Sequence, residues 1–213
     1  MNLQNVLIFG DSYSTFRGWI PEGFGYSYSE YRTDGNEVVR VEDTWWHRVI
    51  TATDSKLIQN NSWSGSTIGY TGYNGQDLSE SKSFIYRFKK LLSEGFFEEN
   101  KIDTFFILGG TNDSWSHAPV GDLMYDSFEE KHLYSVLPAI CYFFKTVKET
   151  LPDTKIYCLV NTYLDEKITA GMVTAAEHYG LEVIRFSHID KWHGHPTIEG
   201  MREMSEEILK YLK

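Results

Sequence analysis

The sequence predicts an α/β domain built on a parallel sheet of about five strands, and three observations carry that expectation. Apolar runs of strand length recur at 6–9, 57–58, 104–108, 155–160 and 182–184. Between them lie segments long enough to hold helices, the alternation expected of parallel strands joined by crossover helices. The chain of 213 residues is 41% hydrophobic and 15% aromatic, enough apolar material for one sizeable core.

Val6-Leu7-Ile8-Phe9 is continuously apolar and bounded by Gly10, so it reads as a short strand buried on both faces. It delivers Gly10-Asp11-Ser12 to the strand's carboxyl end, where parallel sheets place their ligands. Ser12 is therefore a candidate nucleophile, although Asp-Ser after a strand is also ordinary turn or helix-cap chemistry. Residues 13–43 are too long for a simple connection. They carry Tyr13, Phe16, Trp19, Phe24, Tyr26, Tyr28 and Tyr31 among glycines and prolines, which points to an ordered, functional insertion. A first helix is expected over 44–53, with Trp45 and Trp46 packing inward.

The strand at 57–58 runs into Asn60-Asn61-Ser62-Trp63-Ser64-Gly65, and a Gly/Tyr/Ser-rich stretch follows at 66–82. Both long stretches should lie at the Ser12 end of the sheet. After a helix over 83–94, the strand at 104–108 exits into Gly109-Gly110-Thr111-Asn112-Asp113. Helices over 133–150 and 167–179 bracket the strand at 155–160, and Gly180 marks a helix stop. The strand at 182–184 leads to Asp190-Lys191-Trp192-His193-Gly194-His195-Pro196 and a last helix over 197–212. There Ile198, Met201, Met204, Ile208 and Leu212 recur at helical spacing, opposite a charged face. No repeat, linker or domain boundary interrupts the chain, so 1–213 reads as one domain.

Lys+Arg total 20 against Asp+Glu 30, a formal charge of −10. That balance argues against nucleic acid or an anionic membrane surface as partner and favours an uncharged substrate. Cys141 and Cys158 sit inside apolar runs and read as buried free thiols, which suggests a reducing compartment. The first residues lack the basic segment and long apolar run of an export signal, so a cytoplasmic location is expected.

A serine esterase needs an imidazole to take the hydroxyl proton, a group to orient it, and two or three donors for the oxyanion. The N–H of Ser12, the N–H of Gly65 and the amide of Asn112 can supply the donors. Asp190 with His195, or with His193, can supply orienter and base. His47 and His178 fall within helices and His132 among charges, leaving those less suited; His117 follows the Asn112 loop and could touch substrate.

Gly10-Asp11-Ser12, the Asn-x-Ser-x-Ser-Gly segment ending at Gly65, Gly110-x-Asn112, and a C-terminal Asp with His-Pro together resemble the GDSL-type, or SGNH, hydrolase family. The resemblance spans nearly the whole chain. It implies a flavodoxin-like three-layer α/β/α sandwich, with Ser12 as nucleophile, Ser12, Gly65 and Asn112 as the oxyanion hole, and Asp190 and His195 completing a triad. It implies neither metal nor cofactor. Three positions depart from the family pattern: Tyr13 replaces its leucine, Ser62 stands where many members have glycine, and the final block is split. Asp190 and His193 have the family's Asp-x-x-His spacing, whereas His195 is the histidine followed by proline. The His195-Pro196-Thr197 register matches the start of the family's last helix, which favours His195 and leaves His193 as the alternative base.

The expected substrate is a small-molecule or carbohydrate ester carrying a short acyl group, most simply acetyl. Trp63, Trp115, His117 and Trp192 are the substrate-binding candidates, because flat aromatic faces suit sugar rings. Trp19, Tyr26, Tyr28, Tyr70 and Tyr73 belong to the same aromatic loops. The alternatives are a lysophospholipase or thioesterase using the same triad, and a carbohydrate-binding protein on an inactive scaffold.

Overall fold

A computed structural model describes residues 2–213. Five parallel strands form the central sheet: β1 (Asn5–Gly10), β2 (Lys56–Ser62), β3 (Thr104–Leu108), β4 (Lys155–Val160) and β5 (Glu182–Arg185). Their order is β2-β1-β3-β4-β5, so the chain steps outward from β1 to β2 and then crosses back to β3. The carboxyl ends of β1 and β3 flank the point where the order reverses, the crevice in which such sheets bind ligands.

Side chains of successive strand residues alternate between two cores. Leu7 and Phe9 join Phe105, Ile107, Ile156 and Cys158 against α2 (Phe84–Ser93), α5 (Val136–Thr150) and α6 (Glu166–His178). Val6 and Ile8 join Phe106, Leu108, Tyr157 and Leu159 against α1 (Trp45–Ala52) and α7 (Ile198–Tyr211). Helices on both faces give the three-layer sandwich, and explain why β1, β3 and β4 are apolar along nearly their whole length. Phe9 lies at the centre of the first core, with Phe84, Phe88 and Phe105 edge-on to its ring at 5.4–6.1 Å. Each such pair adds about 0.5–1.5 kcal/mol beyond simple burial. Cys141 and Cys158 are buried free thiols. Among the described residues no helix is long and apolar enough to cross a membrane.

The helices begin one residue later than their patterns suggest where a cap intervenes. Thr44, Ser83 and Thr197 lie just outside α1, α2 and α7, because each side chain accepts a hydrogen bond from a first-turn N–H. β2 extends well beyond 57–58. Its polar residues Gln59 to Ser62 pair with β1 through the backbone, and the buried side chains have partners: Asn60 Nδ2 donates to the Ser14 carbonyl, and Asn61 Oδ1 accepts from Arg87. Short helices α3 (Phe96–Glu99) and α4 (Thr111–Trp115) fill connections whose patterns are too brief to detect. Residues 13–43 contain no strand or α-helix, yet Phe16, Tyr28, Val38 and Val41 are buried in the α1/α7 core.

Between β5 and α7 lies a two-stranded antiparallel hairpin, β6 (Lys191–Trp192) and β7 (His195–Pro196). It is seated on α7 at Gly200, where a Cβ would stand 2.1 Å from the Asp190 carbonyl oxygen. Gly200→Ala is therefore expected to lower stability by about 1–3 kcal/mol through overpacking, read as a reduced denaturant midpoint. A variant as stable as the parent would show that the hairpin shifts freely on the helix.

Candidate active site

Ser12 opens a single 3-10 turn (Ser12–Ser14) directly after β1. Asp11 caps that turn, its Oδ1 accepting from the Tyr13 N–H at 3.0 Å. Gly10 is required by close approach: a Cβ there would lie 2.5 Å from Ser14 and 2.6 Å from Ser62 Oγ. The tight turn leaves the Ser12 hydroxyl facing the His195 ring, with Oγ to Nε2 at 3.1 Å.

Three donors lie at the neighbouring strand exits. The N–H groups of Ser12 and Gly65 have no acceptor among the described residues. Gly65 has φ +73°, a left-handed conformation that glycine adopts without strain. The turn carrying it hangs on the Gly10 carbonyl, which accepts from Trp63 N–H at 3.1 Å and Ser66 Oγ at 3.4 Å. Asn112 is held from both ends of its amide. Nδ2 donates one hydrogen to the Ser66 carbonyl at 2.9 Å, and Oδ1 accepts from the Tyr73 hydroxyl at 2.8 Å. This orientation leaves the second Nδ2 hydrogen available.

The hairpin resolves the split C-terminal block. His193 and Gly194 form its two-residue turn with φ +47° and +81°, the positive pair that suits the twist of adjoining strands. The two residues that separate this block from the usual spacing are therefore looped out. His195 returns on β7 to face Ser12, while His193 is exposed in the turn beside Trp192.

Asp190 does not meet either ring. Its carboxylate accepts the Thr197 hydroxyl, its carbonyl accepts the Thr197 N–H, and its own N–H donates to Glu203. The expected contact of Asp190 with a histidine ring is not formed: its Oδ2 instead fastens the start of α7 through Thr197. What faces His195 Nδ1 is the His193 carbonyl oxygen, at 3.4 Å. An Nδ1–H donating to that carbonyl leaves Nε2 unprotonated and able to accept the Ser12 hydroxyl proton.

The hairpin is held in place by the 13–43 insertion. Tyr13 Oη donates to the Gly194 carbonyl; Tyr28 Oη and Asn36 Nδ2 both donate to the Pro196 carbonyl at 3.0 Å; Trp192 Nε1 donates to the Asp34 carbonyl at 3.3 Å. The rings of Tyr13, Tyr28 and Trp115 surround the His195 imidazole at 5.8–6.4 Å. Burial among them pushes the His195 pKa below its ordinary 6.5, opposed by the His193 carbonyl.

Beneath the site lie two buried carboxylates and a buried guanidinium. Burial pushes Asp11 and Asp113 up to about 6. Asp113 accepts from the N–H groups of Ile68 and Gly69, whereas Asp11 Oδ2 has no donor among the described residues. Arg87 spans the Gly10 carbonyl, Ser66 Oγ, the Asn61 carbonyl and side chain, and the Lys82 carbonyl.

The aromatic candidates separate. Trp115 is at the His195 ring and Trp192 at the hairpin's exposed edge. Trp63 stacks on Phe24 with centroids 4.1 Å apart, so one face is already covered. His117 is exposed in a left-handed turn after α4, and its side chain makes no hydrogen bond among the described residues. Trp19 packs on Trp46, and Tyr70 on Tyr134, away from Ser12. A groove of about 710 Å³ lined by Tyr70, Lys89 and Tyr142 contains none of Ser12, Asn112 or His195. Tyr28 and Tyr73, from the aromatic loops, and Asn36 enter the site as supports, and nothing in the sequence signals Asn36. Among the described residues no cluster of His, Cys, Asp and Glu could hold a metal ion.

Residues 4–212 match the GDSL-like lipase/acylhydrolase family. The chain belongs to that family. Two crystal structures described as GDSL-like lipases are similar along nearly their whole length. The one from Bacteroides ovatus is 37% identical with a TM-score of 0.91, covering 100% of this chain and 99% of that one. The one from Bacteroides uniformis is 39% identical with a TM-score of 0.91, covering 98% and 95%. A family two carbohydrate esterase from Clostridium thermocellum in complex with cellohexaose shares the fold at 17% identity and a TM-score of 0.65, covering 99% of this chain and 63% of that one. A comparison with curated proteins finds no match. In this GDSL-like hydrolase Ser12, Gly65 and Asn112 follow the carboxyl ends of β1, β2 and β3.

Proposed function

We propose that this GDSL-like hydrolase is a serine esterase that removes short acyl groups, acetyl above all, from carbohydrate, using a Ser12–His195 dyad. The observation that carries the reading is the 3.1 Å approach of Ser12 Oγ to His195 Nε2, beside the unengaged N–H groups of Ser12 and Gly65. His195 Nε2 takes the hydroxyl proton as Oγ attacks the ester carbonyl. The oxyanion is met by Ser12 N–H, Gly65 N–H and Asn112 Nδ2, each worth roughly 100 to 1000-fold in rate where such donors have been removed. The imidazolium returns its proton to the departing sugar oxygen, leaving an acyl-enzyme. Water, deprotonated by His195, then releases the acid and restores Ser12. The His193 carbonyl takes the orienting place that a carboxylate fills in a triad. Trp115 and Trp192 offer flat faces near the dyad, which favours a sugar as the alcohol part.

Hydrolysis of p-nitrophenyl acetate and acetate release from acetylated sugars test this, with Ser12→Ala as control. Activity equal to the control's overturns it, and faster turnover of long-chain than of acetyl esters overturns the short-acyl assignment. The pH profile has a defined sign. His195 acts as base when neutral, so activity is lost as pH falls through its pKa. Burial holds that pKa below 6.5, and the acidic limb of kcat/KM should have its midpoint below that value. A midpoint above it would require a carboxylate partner.

Tyr28→Phe removes one of the two donors to the Pro196 carbonyl. It should lower stability by about 1 kcal/mol and lower kcat several-fold with little change in KM, because Tyr28 positions the hairpin without touching substrate. A change confined to KM would place Tyr28 in substrate binding instead.

A further inference from the structure

Two lysines border residues of the site, Lys82 at Gly65 and Lys191 at Tyr13, and neither forms an ion pair among the described residues. Lys82 precedes the cap of α2, and its Nζ lies 3.3 Å from the position a Cβ on Gly65 would occupy. It is therefore next to one of the oxyanion donors. Lys191 lies on β6, the strand paired with the one bearing His195. Its Nζ donates to Asn161 Oδ1 at 3.1 Å and to the Thr162 carbonyl at 2.9 Å, leaving a third proton unused. Both side chains are half-buried.

Neutral acceptors solvate an ammonium without cancelling its charge, so a partly desolvated lysine gains from an anion that reaches it. Lys191 is not simply the counter-ion of Asp11. Asp11 Oδ2 has no donor among the described residues, and the two hydrogen bonds of Lys191 go to Asn161 and Thr162. Burial pulls Lys191 down to about 8, which leaves it cationic at neutral pH. Beside it, Tyr163 is 78% exposed and held at φ +59°, a left-handed conformation that costs a bulky residue free energy and clusters at ligand sites. Lys191 Nζ is 5.4 Å from that ring's centroid and 5.5 Å from that of Tyr13. The charge of −10 repels an anion at long range, so any recognition of one must come from cations at the site itself.

We infer that Lys82 and Lys191 select an acetylated sugar that also bears a carboxylate, a uronic acid unit, over its neutral counterpart, with Tyr163 as the exposed face against its ring. The inference rests on the ester-hydrolase reading for turnover, and it narrows the expectation of an uncharged substrate drawn from net charge.

The test compares an acetylated methyl glucuronoside with the matching glucuronamide, whose carboxamide is isosteric and neutral. Acetate release by the wild type at low ionic strength should favour the carboxylate by about tenfold or more in kcat/KM, and the preference should shrink in high salt. In Lys82→Met and Lys191→Met the ratio should fall toward one. Equal kcat/KM on the two compounds, or an undiminished ratio in both variants, overturns the inference. Calorimetric titration of Ser12→Ala with the same pair reads the site without chemistry. Tighter binding of the carboxylate alongside absent turnover in the wild type would retain the anion site and discard the esterase reading; equal binding would discard the anion site.

Discussion

Ser12→Ala and His195→Ala are each expected to lower kcat on an acetyl ester by on the order of 10,000-fold or more, since nucleophile and base act as one unit. His193→Ala should stay within about tenfold, because the group that faces Nδ1 is the His193 backbone carbonyl, which alanine retains. Asp190→Asn is the decisive companion. In a true triad, amidating the carboxylate costs roughly 10,000-fold by imposing the wrong tautomer. Here the Asp190 carboxylate accepts from Thr197, and an asparagine Oδ1 can accept the same hydrogen. Steady-state kinetics on the three variants, with circular dichroism to check folding, separates the cases. A collapse in Asp190→Asn with the fold intact, or a larger loss in His193→Ala than in His195→Ala, would overturn the dyad.

Arg87→Met should be the most destabilising single change argued from this site, by about 3–5 kcal/mol, because it strips donors from several buried acceptors at once. Arg87 is 2% exposed, and its guanidinium ties β1 to β2 and the 63–66 turn through Gly10, Asn61 and Ser66. Its loss also removes the cation that opposes the upward push on Asp11. Methionine fills much of the volume between Phe9 and Phe84, whose rings the guanidinium overlies at 5.0 and 4.6 Å. The penalty should therefore be mainly polar. Urea denaturation reads the stability, and kcat should fall as well, since the turn bearing Gly65 loses an anchor. A variant within about 1 kcal/mol of the parent would mean that water replaces the guanidinium.

Much of the architecture was legible in the sequence because a doubly covered parallel sheet has a plain signature. Strands buried on both faces cannot alternate, so 104–108 and 155–160 stand out as unbroken apolar runs and coincide with β3 and β4. Caps were harder to place than helices, since Thr44, Ser83 and Thr197 are polar in either state and only backbone geometry separates them. β2 was under-read for a related reason. Its pairing is carried by backbone groups, and Asn60 and Asn61 are buried on partners distant in sequence, Ser14 and Arg87.

The candidate site divides along the same line. Short-range chemistry named Ser12, Gly65 and Asn112, because a residue at a strand exit must emerge at the sheet's carboxyl edge whatever the connections do. The register at His195-Pro196 favoured one of two histidines, and the loop of His193 and Gly194 is what brings that residue to Ser12. The sequence could not reveal that Asp190 turns away, because a carboxylate five residues from a histidine is free to meet its ring or to cap a helix. That choice is made by Thr197 and by Gly200, whose missing side chain lets the Asp190 backbone lie against α7. Nor could it reveal that Tyr28 and Asn36 meet at the Pro196 carbonyl. The sequence by itself determined the layered sheet and the placing of Ser12, Gly65 and Asn112 beyond its strand ends, since these follow from local periodicity and strand exits. Only the tertiary structure decided what faces the His195 ring and what holds its hairpin, because those contacts join segments that no spacing along the chain relates.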